Sequence, residues 1–309
     1  MEINEEIFEY CKQKYSDEYT SKKQMLVDEA LKKSSRGYLT DNQKKEIETS
    51  SQLHAIKVSI IDGRKLYPNN IPELWADIYK AHLYRKSGIS NPKIVEKAIK
   101  AEQSWRSSSG HAFEEMVKDL GTLAMEGTGI QYILQKDLNI LLKANELANG
   151  PTDIAWLKQQ VKGGVFDVYV IAQVKVLDEE TNEIKTMPKC FGCVQCKTSI
   201  RDRVSRDREP SVEAMKSQFW SIAFVLDGTM LNVPKYKNMV NGNEESEFKK
   251  NGWHGVYVLS EDESKDRIYG VDLNFNIIRE HTLNAFNNWK SDRQGYTRDW
   301  RADTLPDRL

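Results

Sequence analysis

The chain has almost no net charge, few cysteines and no long apolar run, and each shortage removes a class of protein. Lys and Arg number 45 against 46 Asp and Glu, a formal net charge of −1. Proteins that coat nucleic acid without regard to sequence are strongly basic, so a histone-like role is excluded while a local basic site is not. The longest nearly uncharged apolar stretch, Phe219 to Leu226, falls far short of the roughly 20 residues that span a bilayer. The first residues, MEINEEIFEY, are acidic and hold neither the basic nor the apolar segment of a secretory signal, so a cytoplasmic location is expected.

Cysteine is restricted to Cys11, Cys190, Cys193 and Cys196, and three of the four crowd into seven residues, which suits no disulfide framework. The C-x-x-C-x-x-C spacing could suggest a metal knot, but structural zinc takes four ligands on a turn. Here the interleaved Phe191, Val194 and Ile200 read as strand. On a strand Cys193 points away from Cys190 and Cys196, so the three cannot converge on one ion and are expected to be small buried hydrophobes.

What is present is core material. Hydrophobic residues make up 39 %, with seven Trp, thirteen Tyr and nine Phe, enough for one large domain or two modest ones. Residues 1–105 read as helical. Ile7, Tyr10, Cys11 and Tyr15 recur at helical spacing, as do Met25, Leu26, Ala30 and Leu31. Pro72 suits a first helical turn after the Tyr67-Pro68-Asn69-Asn70 loop, and Ser90-Asn91-Pro92 a cap ahead of Ile94, Val95 and Ala98. This module is expected to serve dimerisation or DNA clamping.

From residue 106 to 309 the texture is α/β. Ser107 to Gly110 predicts a cap for a helix from His111, and a second helix is predicted over Ile133 to Ala148, stopping at Gly150-Pro151. Val165 to Ile171 reads as a strand, Asp178 to Glu183 as a hairpin end and Cys190 to Ile200 as the returning strand. A helix over Ser211 to Leu226, strands at Gly255 to Leu259 and Ile268 to Leu273, and a helix over His281 to Trp289 complete the pattern, which predicts a mixed sheet flanked by helices. Trp105, His111, Trp253 and His254 are assigned to packing.

Hydrolysis of a phosphodiester by a metal nuclease needs carboxylates for the cation and a lysine near the attacking water or the phosphate. Asp167 is a carboxylate in the middle of an otherwise apolar strand, costly unless paired or metal-bound; a strand-end Asp bonding a backbone amide is the alternative. Lys197 lies on the returning strand of the same hairpin, with Gln195 two residues before it on the same face. Asp followed by Glu-x-Lys on a neighbouring strand is the PD-(D/E)XK nuclease arrangement, and this chain carries Gln where that Glu would stand. From Lys197 to Glu209 five basic and three acidic residues alternate closely, unlike a solvated helix with charges separated at i,i+4. Arg can bond guanine bidentately and Asp can accept from cytosine, so Arg201, Asp202 and Arg203 could read neighbouring G·C pairs, with Arg206 and Arg208 on phosphates.

Lys-Thr-Ser-x-Arg-Asp-Arg followed by a Glu resembles the CCGG family of type II restriction endonucleases, over roughly residues 75–275 and most specifically over 191–213. The resemblance implies a PD-(D/E)XK fold in which the second carboxylate has moved to the following helix. Asp167 and Lys197 would then be catalytic, and Glu209 the relocated carboxylate that holds Mg²⁺ with Asp167, Glu213 being the fallback. Gly110-His111-Ala112-Phe113-Glu114 fits the family's upstream acidic residue. Independently, Phe113, Met116, Val117 and Leu120 define an apolar stripe with Glu114 at its edge and Glu115 facing water. The resemblance further implies a homodimer or higher homo-oligomer cutting double-stranded DNA at a palindrome with a CCGG or CCNGG core, 5′ overhangs, and a companion DNA methyltransferase in the same system. Another nuclease of the same fold, acting on junctions or damage, and a non-cleaving DNA-binding protein are the alternatives.

Overall fold

The computed structural model describes residues 3–34, 37–87, 93–177, 182–199, 204–259, 264–272, 274–294 and 296–303. The chain divides into two compact units, Met1–Met116 and Val117–Leu309. In the first, α1 (Ile3–Lys33), α2 (Asp41–Leu66), α3 (Ile71–Ser87) and the start of α4 (Lys93–Ala124) follow one another. Thr40 opens α2 through a capping box with Gln43, each side chain bonding the other's backbone amide. Ile7, Cys11 and Tyr15, four apart on α1, are fully buried, as are Ala55 and Ile56 on α2 and Leu74 and Ile78 on α3. At Gly63 a Cβ would meet Leu74 Cδ1 at 2.6 Å, so the α2–α3 approach depends on hydrogen there. His82 fastens α1 to α4, with Nδ1 2.7 Å from the Tyr15 hydroxyl and Nε2 3.1 Å from the Ala101 carbonyl.

The helical reading of this half holds, and periodicity identified the buried face at the start of α1 but not toward its end. Met25 and Leu31 are helical yet exposed. No cap interrupts α4 at Ser107 to Gly110; the helix runs through, and Ser108 and Ser109 are buried along it. The expected cap at Ser90-Asn91-Pro92 lies outside the described residues.

The second unit is built on a six-stranded sheet in the order β1 (Ile130–Leu134), β2 (Val168–Leu177), β3 (Ile184–Ser199), β4 (Trp220–Asp227), β5 (Gly255–Val258) and β6 (Ile268–Gly270). The first three strands are antiparallel and β3 to β6 are parallel, the mixed sheet expected. The helices are α5 (Gln135–Ala144), α6 (Pro151–Gly163), α7 (Val204–Lys216), α8 (Pro234–Asn241) and α9 (Asn276–Ser291). One core joins Leu138, Leu142 and Leu157 to Phe166, Tyr169, Ile171 and Ala214; another joins β4 and β5 to Tyr236, Met239, Val240 and Trp253.

Several predicted elements are corrected. The helix expected over Ser211 to Leu226 ends at Lys216; Gln218 turns the chain in a left-handed conformation (φ 60°) and β4 follows. Because β4 lies between two parallel neighbours and is covered on both faces, its run is uniformly apolar, a pattern shared by a buried helix. The helix expected over Ile133 to Ala148 is β1 plus α5, and Pro151 starts α6 at its first position instead of ending a helix. Strict alternation also fails in β3. Val170 pairs with Gly192 but Ile171 with Cys190, a bulge that leaves Phe191 as the extra residue. Cys190 and Cys193 consequently share one apolar cluster with Tyr169 and Ile171, and burial pushes both thiols up in pKa.

Candidate active site

Asp167 stands one residue before β2, at the strand's edge and not in its middle. Its amide donates to the Val194 carbonyl (3.0 Å) and its carbonyl accepts from Gln135 (3.2 Å), which hold the backbone on both sides. Its carboxylate Oδ2 accepts the Cys196 N–H at 2.7 Å. Asp167 is thus fixed beside the residue that precedes Lys197.

Lys197 sits near the end of β3, paired with Val225 of β4. Its Nζ lies 3.3 Å from Asp207 Oδ1 in the first part of α7, and both side chains are somewhat over a quarter exposed. Asp207 is not among the candidates read from the sequence, which offered Glu209 and Glu213 on this helix. Glu209 is exposed on α7, and Glu213 is exposed and paired with Lys216 at 2.7 Å. A signal was available: Asp207, Ser211, Ala214 and Met215 fall at i, i+4, i+7 and i+8, and the last three are buried. Glu209 and Glu213, also four apart, belong to the opposite, solvated stripe.

Gln195, where the nuclease pattern has a carboxylate, is 1 % exposed. Its Oε1 accepts from Trp253 Nε1 (2.8 Å) and its Nε2 donates to the Asp207 carbonyl (2.9 Å). A narrow pocket lined by Gln195, Lys197, Asp207, Ala223, Val225 and Trp253 adjoins them. Arg206 is exposed. Arg208 is engaged by the protein: its Nη2 donates to the Lys250 carbonyl (2.5 Å), its Nε to Met239 (3.3 Å), and the guanidinium covers the Phe248 ring. Arg201, Asp202 and Arg203 lie outside the described residues. In the first unit, Glu114 pairs with the exposed His111 at 3.1 Å. Glu115 does not face water freely; it lies 3.6 Å from Lys57. His254, buried as expected, accepts from the Ser221 amide and faces the Thr297 carbonyl (3.0 Å).

A hard divalent cation suits this donor set. Asp167 and Asp207 offer carboxylate oxygens with access to water, and among the described residues no group of three His, Cys, Asp or Glu forms an all-protein cage. Mg²⁺ is commonly held by one or two carboxylates with water and phosphate oxygens completing its shell.

A family model described as BsaWI restriction endonuclease type 2 matches residues 151–295. The crystal structure of a pre-specific restriction endonuclease BsaWI–DNA complex aligns with a TM-score of 0.63 at 41 % identity, covering 97 % of this chain and 99 % of that one. The chain belongs to the BsaWI family of type II restriction endonucleases. It is a site-specific type II nuclease, and its mixed sheet with an N-terminal helical region is the restriction-endonuclease fold. The crystal structure of a specific restriction endonuclease AgeI–DNA complex also matches, at 15 % identity and a TM-score of 0.47 over 85 % of this chain and 86 % of that one, too distant to add to this. No curated protein matches. The segment matched to the BsaWI family contains Asp167, Gln195, Lys197, Asp207, Glu209 and Trp253; Glu114 precedes it.

Proposed function

We propose that this nuclease hydrolyses double-stranded DNA with Mg²⁺ at a palindrome with a CCGG or CCNGG core, leaving 5′ overhangs, and acts as a homodimer because a symmetric target requires two equivalent sites. The observation that carries the reading is the placement of two carboxylates at neighbouring residues near the end of β3, Asp167 bonded to the Cys196 amide and Asp207 against the Lys197 ammonium. Asp167 and Asp207 would hold the cation, Asp207 taking the role that the sequence pattern offered to Glu209. When bound, Mg²⁺ polarises the scissile phosphate and lowers the pKa of a coordinated water.

Lys197 does the remaining work at the phosphate. Its ammonium, held by Asp207, can donate to a phosphate oxygen or orient the attacking water, and it stabilises the charge that develops in the transition state. The Cys196 N–H occupies one lobe of the Asp167 carboxylate and fixes the direction of the rest. Arg201, Asp202 and Arg203 would read the G·C core and Arg206 a phosphate, while Arg208 is better understood as a brace. The relative's structure with DNA supports duplex DNA as the partner here; the companion methyltransferase would protect the same site.

The test is incubation with unmethylated phage DNA, with Mg²⁺ or with EDTA, followed by sequencing of fragment ends. Discrete Mg²⁺-dependent fragments whose ends share a palindrome containing CC and GG are expected. Ends with no common sequence, or cleavage unaffected by EDTA, would overturn the reading.

A further inference from the structure

Gln195 invites reading as a catalytic carboxylate removed by substitution, but its surroundings are built for an amide. The indole N–H of Trp253 can only donate and the Asp207 carbonyl can only accept, so one amide orientation alone satisfies both. A carboxylate at this buried position would keep the first bond, have no proton for the second, and face a carbonyl oxygen with its charge. The carbonyl so gripped belongs to the residue whose carboxylate stands 3.3 Å from Lys197. Trp253 is itself fixed in the core beside Val225 and Val256, and Asn251 Nδ2 donates to its carbonyl at 2.9 Å. An unbroken run of hydrogen bonds thus leads from Trp253 through Gln195 to the start of α7.

We propose that Gln195 is a positioning residue: by holding the Asp207 carbonyl it sets the rotation of the first turns of α7, so that the Asp207 carboxylate faces Lys197, and Trp253 locks Gln195 in the conformation that does so. The proposal rests on the reading of Asp207 as a metal-holding carboxylate. It also reverses the sign of an obvious experiment. If Gln195 were a replaced ligand, Gln195→Glu would strengthen metal binding; if it positions Asp207, the same change weakens it.

The experiment compares Gln195→Glu, Trp253→Phe and Asp207→Asn with the wild-type full chain, measuring Ca²⁺ affinity of the protein by titration calorimetry and the Mg²⁺ dependence of single-turnover cleavage. Melting curves verify folding. Gln195→Glu and Trp253→Phe should each weaken Ca²⁺ binding by about tenfold, the usual effect of losing an outer partner of a metal ligand, with DNA affinity in EDTA unchanged. Tighter Ca²⁺ binding or faster cleavage by Gln195→Glu would overturn the proposal. Wild-type metal affinity in both variants, alongside a weakened Asp207→Asn, would overturn it while leaving Asp207 in its role. Wild-type metal affinity in Asp207→Asn would instead remove the reading beneath it. Should Gln195→Glu fail to fold, Trp253→Phe decides, because it keeps an aromatic ring in the core and deletes the donor.

Discussion

At the scale of single residues, two carboxylates on one helix compete for one role, and helix geometry separates them. Asp207 and Glu209 are two apart, about 200° around α7, so only one of them can face β3. The one that does is Asp207, through Lys197. Asp207→Asn is expected to slow single-turnover cleavage by about 100-fold or more, the scale seen when one preorganised electrostatic group is removed. Glu209→Gln, an exposed substitution, should leave the rate near wild type. Loss of cleavage in Glu209→Gln with a normal rate in Asp207→Asn would return the role to Glu209. Replacing Arg201 or Arg203 by Ala should relax discrimination at a G·C pair by about 1–3 kcal/mol for each bidentate arginine–guanine pair removed, read as the spread of cleavage rates over sites that differ at one base pair.

At the scale of elements, the second unit is braced by ties that sequence inspection does not suggest. Arg293, just beyond α9, bonds both oxygens of Asp153 in the first turn of α6, at 2.7 and 2.8 Å, and lies over the rings of Trp289 and Phe219. Asp153 is 8 % exposed, so removing the guanidinium strands a nearly buried carboxylate. Arg293→Met is expected to cost about 3 kcal/mol, the low end for a broken buried pair because Arg293 itself still meets water. Adding Asp153→Asn should recover part of that loss in urea unfolding. Equal stability of Arg293→Met and wild type would show that the pair contributes nothing. Arg267 reaches the carbonyls of His254, Asp299 and Trp300, which holds residues 299–300 against the start of β6. These ties join segments far apart in sequence, and neither partner carries a local pattern that names the other.

At the scale of the molecule, both units bury neutral histidines. Burial pushes His82 down to about 4 in the first unit, and His254 and His281 down to about 3 and about 4 in the second. His82 and His254 each offer a proton-free nitrogen to a donor, the Tyr15 hydroxyl and the Ser221 amide, so protonation would break those bonds as well as bury a charge. In the unfolded chain these side chains titrate near 6.5. The unfolded state therefore binds more protons below that pH, and stability falls as pH drops from about 6.5 toward 4, by at most about 1.4 kcal/mol per pH unit for each histidine. Urea midpoints should be level from pH 8 to 7 and decline by pH 5. A flat profile down to pH 5 would mean that these histidines are not held neutral. No helix among the described residues is long and apolar enough to cross a membrane.

Local pattern by itself determined the helical first half, the mixed α/β second half, and Asp167 and Lys197 on one hairpin. Each is a matter of residue type and short spacing, and so was the motif that pointed to the restriction-endonuclease family. Pairing and burial decided the rest. Whether Phe219 to Leu226 is strand or helix depends on neighbours covering both of its faces, which erases the periodicity that would distinguish them. The bulge at Phe191 is a property of two strands, and it brings together cysteines that alternation would separate. Asp207 meets Lys197 because α7 starts where it does relative to β3, a relation between elements that no single segment encodes. Gln195 is explained only by Trp253, 58 residues away, since a buried amide is specified by the donor and acceptor that the fold carries to it.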